Sequence, residues 1–246
     1  MPTGATEKKK QTYIWIAVIV LVFGILSIPA LVKKITEGTV VDNKRLSGES
    51  LTGTPLAYVV QDGERRRVPE FELLDQDSLP FSSAEMKGRV WVLDFFFTTC
   101  PTICPRMSTN LRAIQDAFEE EELGIISITI NPRYDTPAML REYAAKFGAG
   151  PQWKFLSGEQ EYIHRLARQG FYMYAAEGDQ YRGGFEHSGL FALIDREGFI
   201  RSRQDEFDNP LIYYRGSVLP EDGTDSDGEP EQIGILIEDI KKLLKE

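Results

Sequence analysis

The chain has 246 residues, 38 of them acidic and 28 basic, for a formal net charge of −10. That balance argues against nucleic-acid binding, which depends on a basic face, and the longest basic run past the N-terminus, Arg65 to Arg67, reads as a solvated turn between strands. With an N-terminal leader of about 35 residues set aside, one ordinary domain remains, long enough to bury a core without disulfide or metal staples.

Tyr13 to Val32 is almost wholly apolar, broken only by Ser27 and Pro29. At about 1.5 Å of rise per residue, a helix of that length just covers a hydrocarbon layer of about 30 Å. Lys8 to Lys10 precede it, Lys33 and Lys34 follow, and Tyr13 and Trp15 stand where interfacial aromatics are expected. No clean small-x-small cleavage site follows, so an uncleaved anchor is expected, with the heavier basic cluster on the cytoplasmic side. Residues 1–12 are then a cytoplasmic N-terminus, 13–33 a transmembrane helix, 34–55 a polar tether and 56–246 the folded domain.

Pro69 to Leu79 resembles a short strand and turn. Arg89 to Phe97 (RVWVLDFFF) is a β-branched and aromatic run suited to a central strand buried on both faces. A helix is expected over Arg106 to Glu121, with Met107, Leu111, Ile114 and Phe118 on one face, and a second buried strand over Leu123 to Ile130. Asp135-Thr136-Pro137 is a helix start with proline in the first turn, and that helix runs to Phe147 and stops at Gly148. Trp153 to Leu156 reads as a strand and Glu159 to Arg168 as a helix. Leu190 to Ile194 and Phe199 to Arg203 form a hairpin turning through Asp195 to Gly198. From Gln204 to Asp227 the pattern dissolves into polar and acidic residues. Ile233 to Leu244 carries apolar residues at helical spacing and closes the domain. This alternation predicts an α/β domain: a mixed sheet with helices on both faces, of the thioredoxin-like kind.

The only two cysteines, Cys100 and Cys104, lie between the first buried strand and the helix after it, where thioredoxin-like folds place their chemistry. A helix N-terminus favours thiolate, which is both a metal ligand and a nucleophile. Redox motifs of the thioredoxin type have two residues between the cysteines. Here there are three, which leaves room for an ion, although a disulfide could still close. Two thiolates are soft donors that suit Cu(I) or Zn(II).

Of the two histidines, His164 reads as a solvated helix residue. His187, in GGFEHSGLFALID, lies just before the strand at Leu190, in a loop that faces the cysteines in a thioredoxin fold. Redox members carry a cis-proline there; none stands between Gly183 and Asp195, and a histidine in its place completes a Cys-Cys-His site. Its nitrogen broadens the choice to Cu(II), and zinc with a bound water also satisfies this donor set.

Together FFFTTCPTICP (Phe95 to Pro105), the DTP of Asp135 to Pro137, Trp153 to Gly158, and EHS (Glu186 to Ser188) followed by FALIDREG resemble the Sco/SenC family. These are copper proteins that help to assemble the dinuclear copper centre of cytochrome c oxidase. The resemblance spans about Leu74 to Arg203 and the last helix. It implies copper, as Cu(I) or Cu(II), on Cys100, Cys104 and His187. It also implies a single-pass inner-membrane anchor, a periplasmic domain, and the copper-containing oxidase subunit as partner. Two departures stand out: Asn131-Pro132 where the family usually has Asp-Pro, and an expanded Ser202 to Asp227 with Tyr213-Tyr214-Arg215-Gly216 and an acidic stretch. Glu221 to Glu231 reads as a solvated loop, with a docking surface for a basic partner as the sharper alternative.

The expected function is a metallochaperone, not an enzyme. The alternative is a thiol–disulfide oxidoreductase that reduces the cysteines of the copper target, with Cys100 and Cys104 as its redox pair. A peroxidatic mechanism is disfavoured, because Phe97 stands three before Cys100 where such sites carry threonine.

Overall fold

The computed structural model describes Trp15, Val18, residues 20–23 and residues 55–246, excepting 62, 179, 181–183, 205–209 and 226–227. The chain divides into two compact units, Met1–Ser47 and Gly48–Glu246. In the first, the described residues are helical and exposed. Most of the expected span at 13–33 and nearly all of the tether at 34–55 lie outside the described residues, among which no helix is long and apolar enough to cross a membrane.

In the second unit the strands and helices follow in order. They are β1 (Ala57–Tyr58), β2 (Val60–Gln61), β3 (Glu64–Arg65), β4 (Glu72–Asp75), β5 (Pro80–Ser82), β6 (Val90–Phe96), α1 (Ile103–Asp116), β7 (Leu123–Thr129) and α2 (Pro137–Phe147). Then come β8 (Trp153–Ser157), α3 (Gln160–Arg165), β9 (Ala175–Glu177), β10 (Phe185–His187), β11 (Leu190–Ile194), β12 (Ile200–Ser202), β13 (Tyr214–Arg215) and α4 (Ile233–Lys245).

The main sheet runs β1-β12-β11-β6-β7-β8-β4-β5, with β13 added to β11. β6, β7 and β8 are parallel, and β11 joins β6 antiparallel on its other side. Every residue of β6 and β7 is buried, as strands covered on both faces require. Successive side chains of β6 face opposite ways. Phe96 packs on Tyr143 of α2 with ring centroids 5.2 Å apart, and Phe95 meets Phe171 beyond α3 at 5.7 Å. The two layers of helices therefore cover different faces of one mixed α/β sheet.

Several elements differ from the sequence reading. α1 begins at Ile103, three residues early, because Pro105 falls in the first turn, where its missing N–H costs nothing. It stops at Asp116, ahead of Glu119 to Glu122, whose four carboxylates would sit against the negative end of the helix dipole. The helix after Glu159 widens into a π-type turn over Leu166–Gly170.

The arginine run follows the turn between β2 and β3, and Arg65 and Arg67 are exposed as expected, with Arg66 half-buried. Arg65, Arg66 and Arg67 lie over the rings of Tyr58, Tyr172 and Phe199 at 3.9, 3.8 and 4.8 Å, so each charge is held against an aromatic face. The stretch read as patternless contributes β13, with Tyr214 buried and its hydroxyl donating to Asp239 of α4 at 2.9 Å. Asp239 also accepts from Arg203 at 2.6 Å, which ties β12, β13 and α4 together in the interior. The acidic stretch is anchored in part: Arg215 pairs with Asp225 and Glu229, and Glu231 accepts from the first N–H of α4.

Candidate metal centre

β6 ends in the middle of the sheet, beside the point where the strand order departs in two directions, and such a crevice is where α/β sheets bind ligands. Past the strand, Cys100 N–H donates to Phe97 O at 3.2 Å and curls the loop back toward the sheet. A carboxylate fixes the base of this loop. Asp135, fully buried, accepts from the backbone N–H of Thr98 at 3.1 Å and from the hydroxyls of Thr98 and Thr129. The aspartate of the DTP motif thus joins the cysteine loop to the end of β7, while Thr136 caps α2 and Pro137 opens it. Sequence reasoning saw only the helix start. The carboxylate's turn toward Thr98 depends on a contact 37 positions away.

Cys104 sits in the first turn of α1, and its N–H points at Cys100 Sγ at 3.5 Å. His187 arrives from β10, which pairs with β9, and Ser188 N–H donates to Tyr174 O at 3.2 Å. Its ring stands edge-on to Phe97, and Nε2 lies 2.8 Å from Cys104 Sγ. Both cysteines are free thiols, and all three side chains are buried. One ligand atom from each lies within 4.8 Å of the other two, the one such grouping of three found among the described residues. The pocket outside it is lined by Phe97, Thr102, Ile103, Gln180 and Glu186.

The two thiols are electrostatically unequal. Cys100 is held down to about 3, mainly because the Cys104 thiol hydrogen-bonds to it, with help from His187 and the Cys104 and Thr102 backbone. Burial pushes Cys104 well above the ordinary thiol range, and the neighbouring Cys100 thiolate pushes it further. The resting site therefore holds one thiolate beside one thiol.

The donor set fits a soft ion. Two ligands bound to one ion at roughly 2.3 Å (sulfur) and 2.0 Å (nitrogen) stand roughly 3.5–4 Å apart. The three donor atoms lie within 4.8 Å of one another, and the pair at 2.8 Å is in hydrogen-bond contact, so loading requires that pair to open by about an ångström. His164 does not join them. It is buried, contrary to the expectation of a solvated histidine, and its Nε2 meets Ile130 O at 2.8 Å.

Asp94, one of the largest surprises of the interior, stands in the middle of the apolar run of β6. It accepts from Ser127 Oγ at 2.5 Å, and Trp153 Nε1 donates to the same oxygen of Ser127 at 2.9 Å. Burial raises its carboxyl to about 7, against a lowering from Ser127. A lone aspartate within RVWVLDFFF was the sequence signal for it.

The fold and the three converging side chains define a thioredoxin-like protein with a buried dithiol–imidazole cluster at the end of its central strand. The SCO1/SenC family model matches residues 60–215, well over half of the chain, and the chain belongs to that family. It is 35% identical over 140 residues to a protein of Stutzerimonas stutzeri named for copper binding, a stretch that is 55% of this chain and 68% of that one. The match spans about two thirds of the length of this relative and of a SCO2-like protein of Rickettsia felis. Among solved structures, a SCO1/SenC family lipoprotein from Bacillus anthracis aligns with a TM-score of 0.59 at 27% identity, over 72% of this chain and 95% of that one. BsSco, described as a member of the Sco family of cytochrome c oxidase assembly proteins with a disulfide switch, aligns with a TM-score of 0.58 at 26% identity, over 75% and 97%.

Proposed function

We propose that this chain is a copper metallochaperone, which takes one copper ion on Cys100, Cys104 and His187 and delivers it to the dinuclear copper site of cytochrome c oxidase. The observation that carries this reading is the convergence of two sulfurs and one imidazole nitrogen within 4.8 Å of one another. Binding the ion releases the Cys104 thiol proton to solvent; the two thiolates then hold Cu(I), and the imidazole extends the site to Cu(II). Family membership and the names of the relatives supply the metal and the destination.

Copper is cargo in this scheme, so the site has to release what it binds. Cys100 faces the pocket, whereas Cys104 is wholly enclosed. An incoming thiolate of the acceptor reaches the ion from the pocket side and displaces Cys100 first, while Cys104 and His187 retain the ion until exchange is complete. No substrate is turned over, and the protein is not an enzyme in this role. The apolar segment Tyr13 to Val32 supports a single-pass anchor in the inner membrane, with the domain in the periplasm beside its target.

The test is copper content and transfer. The wild-type chain is expected to bind one copper, and Cys100→Ala, Cys104→Ala and His187→Ala each to lose it. Full binding by folded His187→Ala overturns the three-ligand site.

One observation favours a second reading. A thiolate at Cys100 beside a thiol at Cys104 is the arrangement of an attacking and a resolving cysteine, and suits reduction of the oxidised acceptor. That activity requires both cysteines and not the histidine. Retained disulfide reduction in His187→Ala, with copper binding gone, would assign the two roles separately.

A further inference from the structure

The segment after β12, which looked like an expanded polar stretch, passes over the supports of the metal centre. Tyr214 and Arg215 pair with Phe191 and Leu190 on the strand that follows His187. One residue on, Gly216 N–H donates at 2.9 Å to the carbonyl of Gly189, two positions past His187. The carbonyls of Gly216 and Val218 both accept from Nδ2 of Asn110, each at 2.8 Å. Asn110 is on α1, the helix whose first turn holds Cys104. Closer to that cysteine, Arg106 Nε donates to Ser217 O at 2.8 Å, and the guanidinium pairs with Asp222.

Two details show that this contact is fitted and not incidental. Asparagine inside a helix is disfavoured, and a buried amide costs free energy unless its hydrogens are used. Asn110 is 1% exposed, and its NH2 finds two acceptors in this segment. Gly216 cannot be larger, because a Cβ there would lie 2.5 Å from the Phe191 ring. Gly189, at φ +67°, takes a backbone conformation that few other residues adopt, with Ile103 and Ser217 packed against it.

We propose that residues 214–218 are a strap that holds the His187 loop against the cysteine helix, with Asn110 as the positioning residue that sets the histidine's distance from the two sulfurs. This inference rests on the copper reading of the site. The strap joins the two halves of the ligand set through the main chain: Asn110 grips Gly216, Gly216 grips Gly189, and Gly189 follows the ligand by two residues.

The test uses the full chain with two substitutions. Asn110→Leu keeps the branched shape and removes both N–H donors, and Arg106→Met releases the outer end of the strap from a half-exposed position. Each is expected to bind one copper with affinity weakened about tenfold or more, the usual effect of losing a group that orients a ligand. The Cu(II) absorption and paramagnetic resonance spectra should differ from those of the wild-type chain, and without metal the Gly216 amide, which donates to Gly189 O, should exchange faster with solvent. Folded variants with wild-type affinity, spectra and exchange overturn the proposal. If Asn110→Leu does not fold, Arg106→Met decides alone. A wild-type chain that binds no copper would defeat the copper reading, and Gly216 amide exchange in the two variants would still report on the strap.

Discussion

At the scale of single residues, the site separates two chemically identical side chains. Cys100 accepts hydrogen bonds and stays ionised, while Cys104 lies in an apolar enclosure against a negative neighbour and stays protonated. The folded chain should therefore react with iodoacetamide at Cys100 at a nearly constant rate from pH 8 down to pH 5, since its thiol is held at about 3. A free thiol would slow about tenfold per pH unit below about 8.5. Mass mapping of the labelled peptide checks the site as well as the rate, and a tenfold-per-unit decline at Cys100 would refute the asymmetry. The sequence singled out Cys100, Cys104 and His187 by type and position. It could not rank the cysteines, because their difference is made by which N–H groups and which ring stand near each sulfur.

At the scale of elements, local chemistry carried far where it was strong. The helix start at Thr136 and the stop at Gly148 fall as expected: the threonine side chain caps the Met139 N–H, and the glycine takes the left-handed conformation at φ +66°. Thr136→Ala should cost about 1 kcal/mol, seen as a lower urea midpoint at unchanged slope. No shift in midpoint would mean that Asp135 and Pro137 set the helix start without the cap. Short elements were harder to read. β9, β10 and β13 have two or three residues each, too few to display a period, and they exist because partner strands supply their hydrogen bonds. The ring contacts of Arg66 and Arg67 were hidden for a related reason, since Tyr172 and Phe199 come from distant parts of the chain.

At the scale of the whole molecule, a buried acid links the core to pH. Burial raises the Asp94 carboxyl from 3.8 to about 7, so the folded state binds its proton more tightly than the unfolded chain does. That contribution is complete below about pH 4 and is lost as pH rises through about 7, on the order of a few kcal/mol. Asp94→Asn keeps the shape and an acceptor for Ser127, and should flatten the dependence of urea-unfolding free energy on pH between about 4 and 7. An unchanged slope would remove Asp94 as its source. The same scale accounts for the position of the site: three parallel strands open their carboxyl ends toward one crevice, and the antiparallel neighbours β11 and β13 bring the histidine's loop to it.

From sequence alone came the longer strands and helices, the family, and the two sulfurs and one imidazole, because apolar periodicity, capping residues and ligand types are properties of neighbouring residues. It took the closed fold to bury His164 against the Ile130 carbonyl, to turn Asp135 back onto the cysteine loop, and to run residues 214–218 between the His187 loop and the cysteine helix. Those outcomes depend on hydrogen bonds and burial between segments tens of residues apart, which exist only after the sheet has closed.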